Sequence, residues 1–263
     1  METSIGFRRN IYRHWLDAAA AFCAETTDVR TIRARLDPIV EQTVKREDNR
    51  RQAIDILINI WVKTGEAHPA LRHEAVVLFA QSEAAGDRLW LHYGLTLLRY
   101  DFFRLGAMII GQFSAYSGEL TPADVKKRVF AEIGQLGAAD KATERVIFSL
   151  RNWGILVDGE WRATYRPLRH TLGASSRTIE KWLLAAALTA HPAEELPFND
   201  LIRLPELFPF RFTLGVDDLR GSPHFEVHRQ GLGWDMVRLA PRAVSEQAEP
   251  KAIVDKSLST SVE

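Results

Sequence analysis

Apolar residues recur at intervals of three and four through the first part of the chain, which is the spacing of an amphipathic helix. The clearest stripe, within residues 49–63, consists of Ala53, Ile54, Leu57, Ile60 and Trp61. The other segments that we predict to be helical are residues 7–24, 28–44, 68–81 and 87–116, the last as one long or two abutting helices. No alternating strand pattern competes with this spacing, so residues 1–117 are predicted to form a helical bundle.

Local signals refine this bundle. Asp28 is a predicted N-cap, because a short carboxylate can accept from the first free amides of a helix. Pro38 is expected to kink or split the helix that follows, since it lacks an amide hydrogen. Gly94, Gly106 and Gly111 mark either helix breaks or close contacts between helices.

The middle of the chain changes character. Thr121 and Asp124 flank a proline in a well-formed helix start, which predicts a helix that ends near Gly134. Asp140 is the predicted N-cap of a second helix over residues 141–153. Short strands are predicted at residues 155–157 and 161–165, on either side of an Asp-Gly turn. This order predicts a winged helix-turn-helix over residues 118–172.

The remaining residues predict a small α+β region over residues 173–241. Its predicted elements are a helix at residues 176–190, strands at 211–214, 224–228 and 234–239, and a turn at 231–233. Residues 242–263 are polar and predict a disordered tail. The fold class is therefore mainly α: an N-terminal helical bundle, a central winged helix-turn-helix and a small α+β C-terminal region.

Composition narrows the class of protein. The 263 residues carry 34 Lys and Arg against 34 Asp and Glu, so the net charge is zero and any basic surface must be local. The single cysteine, Cys23, excludes an internal disulfide framework and a multi-cysteine zinc site. No apolar run approaches the roughly 20 residues that span a membrane, and the N-terminus lacks a signal-peptide pattern. We expect a cytoplasmic protein with no membrane partner.

One face of the second helix of the predicted winged unit has residue types that read DNA. At about 100° per residue, its polar positions fall within about 80° of one another. Arginine reaches guanine or phosphate, asparagine reaches adenine, and serine reaches phosphate. The predicted DNA-contacting residues on this face are Lys141, Arg145, Ser149 and Asn152.

The predicted hairpin and its exit add Arg162, Arg166, Arg169 and Arg177 to this set. Residues 141–177 hold seven Lys and Arg against three Asp and Glu, a local excess of four positive charges. Phosphate contact requires such a field, because each cation that meets a phosphate releases a counterion. Arg162 alternates with apolar neighbours that include Trp161, so we expect it to point away from the packed face, on the surface of Arg145.

Patterns for catalysis are weak. His224, Glu226 and His228 alternate on a predicted strand, but three such positions span roughly 13 Å, too far for one metal ion. They are more typical of an exposed polar face. Cys23 follows an alanine run and is typical of a buried small residue. The chain has no phosphate loop, HExxH or GxSxG motif. We therefore expect a protein that is not an enzyme and has neither a cofactor nor a metal.

Two functions fit these patterns. The first is a non-enzymatic DNA-binding accessory or regulatory protein whose partner is double-stranded DNA. The second is an interaction adaptor whose winged helix docks another protein, because winged helices also serve as protein-protein modules and a polar helix face is often only solvated.

A family resemblance supports the first function. It rests on the order of a helical bundle, an R-x-x-x-x-L-R-x-x-G-[IL]-L helix and an arginine-rich hairpin, which resembles the A component of BREX phage-defence systems. The stretches that carry it are residues 89–94 (LWLHYG), 98–103 (LRYDFF), 141–157 and the hairpin to Pro167. It covers about residues 30–170, and the chain from Ser176 departs from it. The resemblance implies DNA binding and an accessory role in bacterial antiviral defence beside other defence proteins.

Overall fold

The computed structural model describes residues 5–134, 137–231 and 233–241. The protein is mainly helical, and two small antiparallel sheets lie in the second half of the chain. The predicted tail over residues 242–263, and Leu232 in the predicted turn, lie outside the described residues. Within those residues no helix is both long enough and apolar enough to cross a membrane.

The prediction of helices through the first part of the chain is confirmed. The elements are α1 (Arg13–Glu25), α2 (Val29–Glu41), α3 (Glu47–Ile58), a π-helical turn (Asn59–Lys63), α4 (Thr64–Ala67), α5 (Pro69–Gln81), α6 (Ala85–Arg99) and α7 (Asp101–Tyr116). Asp28 is the N-cap of α2 as predicted, since its carboxylate accepts from the Thr31 amide at 2.8 Å. Pro38 lies inside α2 without ending it.

The start of the first helix is predicted too early in the chain. α1 starts at Arg13, and residues 7–10 contain no helix. Phe7 and Ile11 are nonetheless fully buried, so this stretch belongs to the core. It is non-helical because the backbone of Ile11 bonds to side chains of a distant helix, as described below.

The second half contains shorter elements. They are α8 (Pro122–Ile133), α9 (Gly137–Asn152), β1 (Leu156–Asp158), β2 (Tyr165–Pro167), α10 (Arg177–Ala190), β3 (Glu195–Pro197), α11 (Phe198–Leu201), a 3-10 turn (Pro205–Leu207), α12 (Val216–Arg220), β4 (Phe225–Gln230) and β5 (Trp234–Leu239). β1 pairs with β2, with Val157 opposite Arg166. The other sheet has the strand order β3-β5-β4 and is antiparallel throughout.

Three local predictions are wrong. Asp140 is not an N-cap, because α9 begins at Gly137 and the Asp140 carboxylate pairs with Lys126 at 2.9 Å. The strand predicted at 161–165 is largely a turn, since Ala163 has a φ of 61° and β2 starts only at Tyr165. Residues 211–214 form no strand: the amide and hydroxyl of Thr213 bond instead to the buried carboxylate of Glu180.

Two glycines of the bundle are sites of close approach rather than helix breaks. A Cβ on Gly94 would lie 2.5 Å from the Trp182 ring, so α6 and α10 meet at van der Waals distance here. A Cβ on Gly111 would lie 1.8 Å from the Pro205 carbonyl oxygen, which fixes the 3-10 turn against α7. These contacts help to join the predicted segments through one continuous core that includes Trp15, Trp153 and Trp182.

A buried histidine lies inside this core. His92 is fully buried, and its Nε2 donates to the Asp17 carboxylate at 2.9 Å. Its Nδ1 has no hydrogen-bond partner among the described residues. Burial lowers the pKa of His92, and the bond to Asp17 only partly offsets this. The imidazole is therefore held neutral at pH 7.

Mutation of Gly94 tests the close approach of α6 and α10. Gly94→Ala should destabilise the protein by about 1–3 kcal/mol, because the added methyl overpacks against the Trp182 ring. The matched control is Gly86→Ala in the same helix, where no atom lies within 4 Å of the new Cβ. That variant should gain up to about 1 kcal/mol from helix propensity. Urea unfolding measures both, and equal midpoints for the two variants would contradict this packing.

The state of His92 predicts how stability depends on pH. The unfolded chain protonates His92 below pH 6.5, whereas the folded chain does so only at lower pH. The unfolded state then binds more protons, so the free energy of unfolding should decrease as the pH falls below 6.5. His92→Gln should reduce this dependence, and the exposed His73→Gln should keep it. Denaturant titrations at pH 7.5 and 5.5 provide the check, and an unchanged slope in His92→Gln would refute the assignment.

Candidate nucleic-acid interface

The four residues predicted to read DNA from α9 do not form one open face. Ser149 is fully buried. Arg145 is half-buried, and its Nη1 donates to the Asn10 Oδ1 at 3.1 Å. Asn152 is exposed, but its Oδ1 accepts from the backbone amide of Arg13 at 2.8 Å. Lys141 alone projects fully into solvent, where it pairs with a neighbouring glutamate.

The first residues of the described chain explain this arrangement. We call residues 5–12 the N-terminal segment. The Ser149 hydroxyl accepts from the Ile11 amide at 3.1 Å and donates to the Arg145 carbonyl at 2.8 Å. The Trp153 indole donates to the Ile11 carbonyl at 2.9 Å. Both backbone groups of Ile11 are thus satisfied by side chains of α9 and its C-terminal neighbour, and Ser149 offers no surface to a ligand in this structure.

The outward side of α9 is balanced in charge. Lys126 lies between Glu144 at 2.8 Å and Asp140 at 2.9 Å, and these hydrogen bonds raise its pKa. Hydrogen bonds from Lys126 and then Lys141 hold the pKa of Glu144 below its usual value. Arg151 pairs with Asp158, and its guanidinium carbon lies 4.5 Å from the centre of the Tyr165 ring. Arg145, whose hydrogen-bond partner Asn10 is uncharged, is the one cation of α9 without an acidic partner among the described residues.

The hairpin has the opposite balance. Arg162, Arg166 and Arg169 are exposed. Within the part of the chain that the structure describes, none of the three has an acidic side chain at pairing distance. Arg177, the fourth predicted arginine here, differs because it pairs with Asp218 at 2.7 Å. That the three free arginines share a surface with Arg145 stays a prediction.

Hydrogen bonds hold the hairpin turn in place. The Gly159 amide donates to the Thr164 carbonyl at 2.9 Å, and the Thr164 amide donates to the Trp161 carbonyl at 3.1 Å. The Glu160 amide donates to the Glu119 carboxylate at 2.7 Å. A turn fixed in this way presents its side chains at low entropic cost.

The position of Trp161 corrects the sequence analysis. The alternating pattern placed this ring on a packed face, but 75% of its surface is exposed. The reason is the turn itself: residues 161–163 lie outside the strands, so strand alternation does not determine their direction. Arg162 is exposed as predicted, but strand alternation is not the reason.

His224, just before β4, and His228 within it have separate partners. His224 contacts Glu74 at 3.1 Å, and His228 contacts Glu195 at 3.5 Å. Glu226 lies between them in sequence and bonds to Arg238 across the sheet. Among the described residues no group of three potential ligands is close enough to hold a metal ion.

Sequence reasoning did not bring together one group of residues around a cleft. The cleft lies beside the C-terminal end of α7 and is lined by Tyr116, Arg169, His170 and Arg203. These residues span 87 positions, from 116 to 203, so no local motif joins them. The packing of the 3-10 turn on α7 and the hydrogen bonds of His170 to Phe208 and Phe210 do so.

No protein-family model, no curated protein and no solved structure matches the chain.

The buried hydroxyl of Ser149 gives a test of its structural role. Ser149→Ala should destabilise the protein by about 1–3 kcal/mol, because the Ile11 amide loses its partner in a buried position. Lys141→Ala is the control on the same helix, since its side chain is 70% exposed, and it should change stability by less than about 0.5 kcal/mol. Chemical denaturation measures both. A stable Ser149→Ala protein with impaired DNA binding would favour the original reading role instead.

Proposed function

We propose that the protein is a winged-helix protein that binds double-stranded DNA mainly through the phosphates, with the hairpin as its principal contact. The order of elements supports this: α7, α8, α9 and the β1-β2 hairpin follow one another directly. An isolated antiparallel bridge also joins Leu120, just before α8, to Tyr165 of β2.

The observation that carries the proposal is the set of exposed arginines without an acidic partner at the hairpin and its exit. Arg162, Arg166 and Arg169 are exposed and have no acidic partner among the described residues, whereas Lys126, Lys141 and Arg151 on α8 and α9 each pair with an acid. Arg162 lies in the fixed turn, Arg166 in β2 and Arg169 just beyond it, and such arginines suit phosphate oxygens, which accept bidentate hydrogen bonds from a guanidinium group. Binding of this kind positions a protein on DNA without reading its sequence.

The hydrogen bonds of α9 make a strong preference for one DNA sequence unexpected. Ser149 and Asn152 bond to the backbone of residues 11 and 13, so the groups suited to base edges are already engaged. Base recognition through α9 would need these bonds to break. The proposed binding is therefore dominated by charge and depends steeply on salt.

The biological setting is part of the proposal and rests on the resemblance alone. An accessory, non-enzymatic role in bacterial antiviral defence agrees with a DNA-binding module that lacks a motif for nucleotide hydrolysis in its sequence. Other proteins of such a system would then be partners beside the DNA.

One observation favours the adaptor function. Trp161 is 75% exposed on a hydrogen-bonded turn, and tryptophan is the residue most enriched at the energetic centres of protein interfaces. In this alternative the hairpin docks a partner protein through Trp161, and the arginines beside it contribute only to the rim.

Substitution of the free arginines tests the DNA-binding proposal. The double variant Arg162→Ala/Arg166→Ala should weaken binding to any duplex and lower the slope of log affinity against log salt by about two, because two phosphate contacts are lost. The matched control is Arg177→Ala, whose guanidinium already pairs with Asp218. It should bind almost like the wild type. Fluorescence anisotropy with a labelled duplex at 50 and 200 mM salt measures both quantities.

Trp161→Ala separates the two functions in the same assay. If the hairpin binds phosphates, this variant should retain duplex affinity within about threefold. Wild-type affinity in the double arginine variant, or no duplex binding at 50 mM salt, would reject the DNA-binding proposal.

A further inference from the structure

A cleft of about 260 Å³ lies between the C-terminal half of α7 and the loop that carries the 3-10 turn. Its polar lining is cationic and aromatic, and none of the described residues that line it is acidic. The side chains that matter for its chemistry are Gln112, Tyr116, Arg169, His170, Arg203 and Phe208.

The close approach at Gly111 builds the cleft. The Pro205 carbonyl oxygen occupies the place of a side chain on α7, because a Cβ there would lie only 1.8 Å away. The loop therefore lies directly on the helix, with Phe208 and Pro205 forming an apolar floor. Arg203 and Arg169 come from the two chain segments that border this floor.

Arg169 is oriented without being neutralised. Its Nη1 donates to the Ser114 hydroxyl at 3.3 Å, and that hydroxyl donates to the Gly111 carbonyl at 2.6 Å. Its Nη2 donates to His170 Nε2 at 3.3 Å. Both partners are uncharged, and a guanidinium group has five N–H donors, so the charge and three donors remain for a ligand.

His170 is fixed in the form that this contact needs. Its Nδ1 donates to the Phe210 carbonyl at 3.0 Å, so Nε2 is left as the acceptor from Arg169. Its backbone has a φ of 50°, in the left-handed region, and is held there by the bond from its amide to the Phe208 carbonyl at 2.8 Å. Such backbone strain in a residue other than glycine is typical of ligand clamps.

Tyr116 supplies the aromatic surface of the cleft. It is the last residue of α7, and 93% of its surface is exposed although it lines the cleft. An aromatic ring that lines the same cleft as two guanidinium groups suits a ligand that is both planar and anionic. Every nucleobase has a π face that stacks on such a ring, and base stacking contributes without sequence preference.

We propose that this cleft binds a single nucleotide, with the phosphate on Arg169 and Arg203 and the base on Tyr116. The nucleotide is either a free nucleoside monophosphate or the terminal nucleotide of a strand, which share the same chemistry. Arg169 is shared with the duplex proposal, but Tyr116 and Arg203 take no part in it, so the two proposals can be tested separately.

Calorimetric titration of the full chain tests the cleft with 5′-AMP, adenosine and inorganic phosphate as probes. We expect 5′-AMP to bind at least tenfold more tightly than either of the other two, since it alone engages both halves of the site. Arg203→Ala and Tyr116→Ala should each weaken 5′-AMP binding by about tenfold. Tyr116→Phe should bind like the wild type, because the ring remains.

Two controls make the result specific. Arg51→Ala removes an exposed arginine that pairs with Asp48 on α3, and it should leave 5′-AMP affinity unchanged. The Tyr116 and Arg203 variants should keep wild-type affinity for duplex DNA, so failure of this inference and failure of the duplex proposal can be told apart.

The source of the nucleotide follows from a short oligothymidylate with and without a 5′-phosphate. Tighter binding of the phosphorylated strand than of 5′-TMP supports the cleft as a site for strand ends, and the reverse order supports it as a site for free nucleotides. Equal affinity for 5′-AMP and inorganic phosphate, equal affinity for 5′-AMP and adenosine, or no heat at millimolar 5′-AMP would overturn the proposal.

Discussion

Two hydrogen bonds, from the Ile11 amide to the Ser149 hydroxyl and from the Trp153 indole to the Ile11 carbonyl, determine which groups of α9 remain available to a ligand. A buried peptide group needs a partner for both its donor and its acceptor. The N-terminal segment is buried through Phe7 and Ile11 but is not helical, so its backbone cannot satisfy itself. Ser149 and the Trp153 indole supply these partners, and in doing so they hold the N-terminal segment against α9.

Many polar and charged side chains of α9 are engaged in bonds within the protein. The side of α9 that a helix-turn-helix protein would present to bases carries structural bonds, and its outward stripe carries ion pairs such as Lys126 with Glu144. The protein has equal numbers of acidic and basic residues. Acids on α9 and β1 pair with Lys126, Lys141 and Arg151, whereas the arginines exposed at the hairpin and at the cleft beside α7 have no acidic partner among the described residues.

The sequence could predict those features that depend on nearby residues. The helices, the capping box formed by Thr121 and Asp124, and the strand at residues 234–239 all follow from local spacing and side-chain chemistry. The burial of Ser149 could not be predicted, because its partner lies 138 positions away. Trp161 was misplaced because a period-two pattern was assumed to continue into a turn. The cleft residues come together through tertiary contacts, at Gly111 and between His170 and the Phe208 and Phe210 carbonyls.

Hydrogen–deuterium exchange with and without a saturating DNA duplex would test the central claim most directly. If the hairpin binds the phosphates while α9 stays bonded to the N-terminal segment, protection should increase for amides of residues 159–170. Protection should stay unchanged for residues 5–12 and 141–153. Loss of protection in the N-terminal segment, together with new protection along α9, would contradict the account. It would show that DNA displaces the segment and is read by the helix after all.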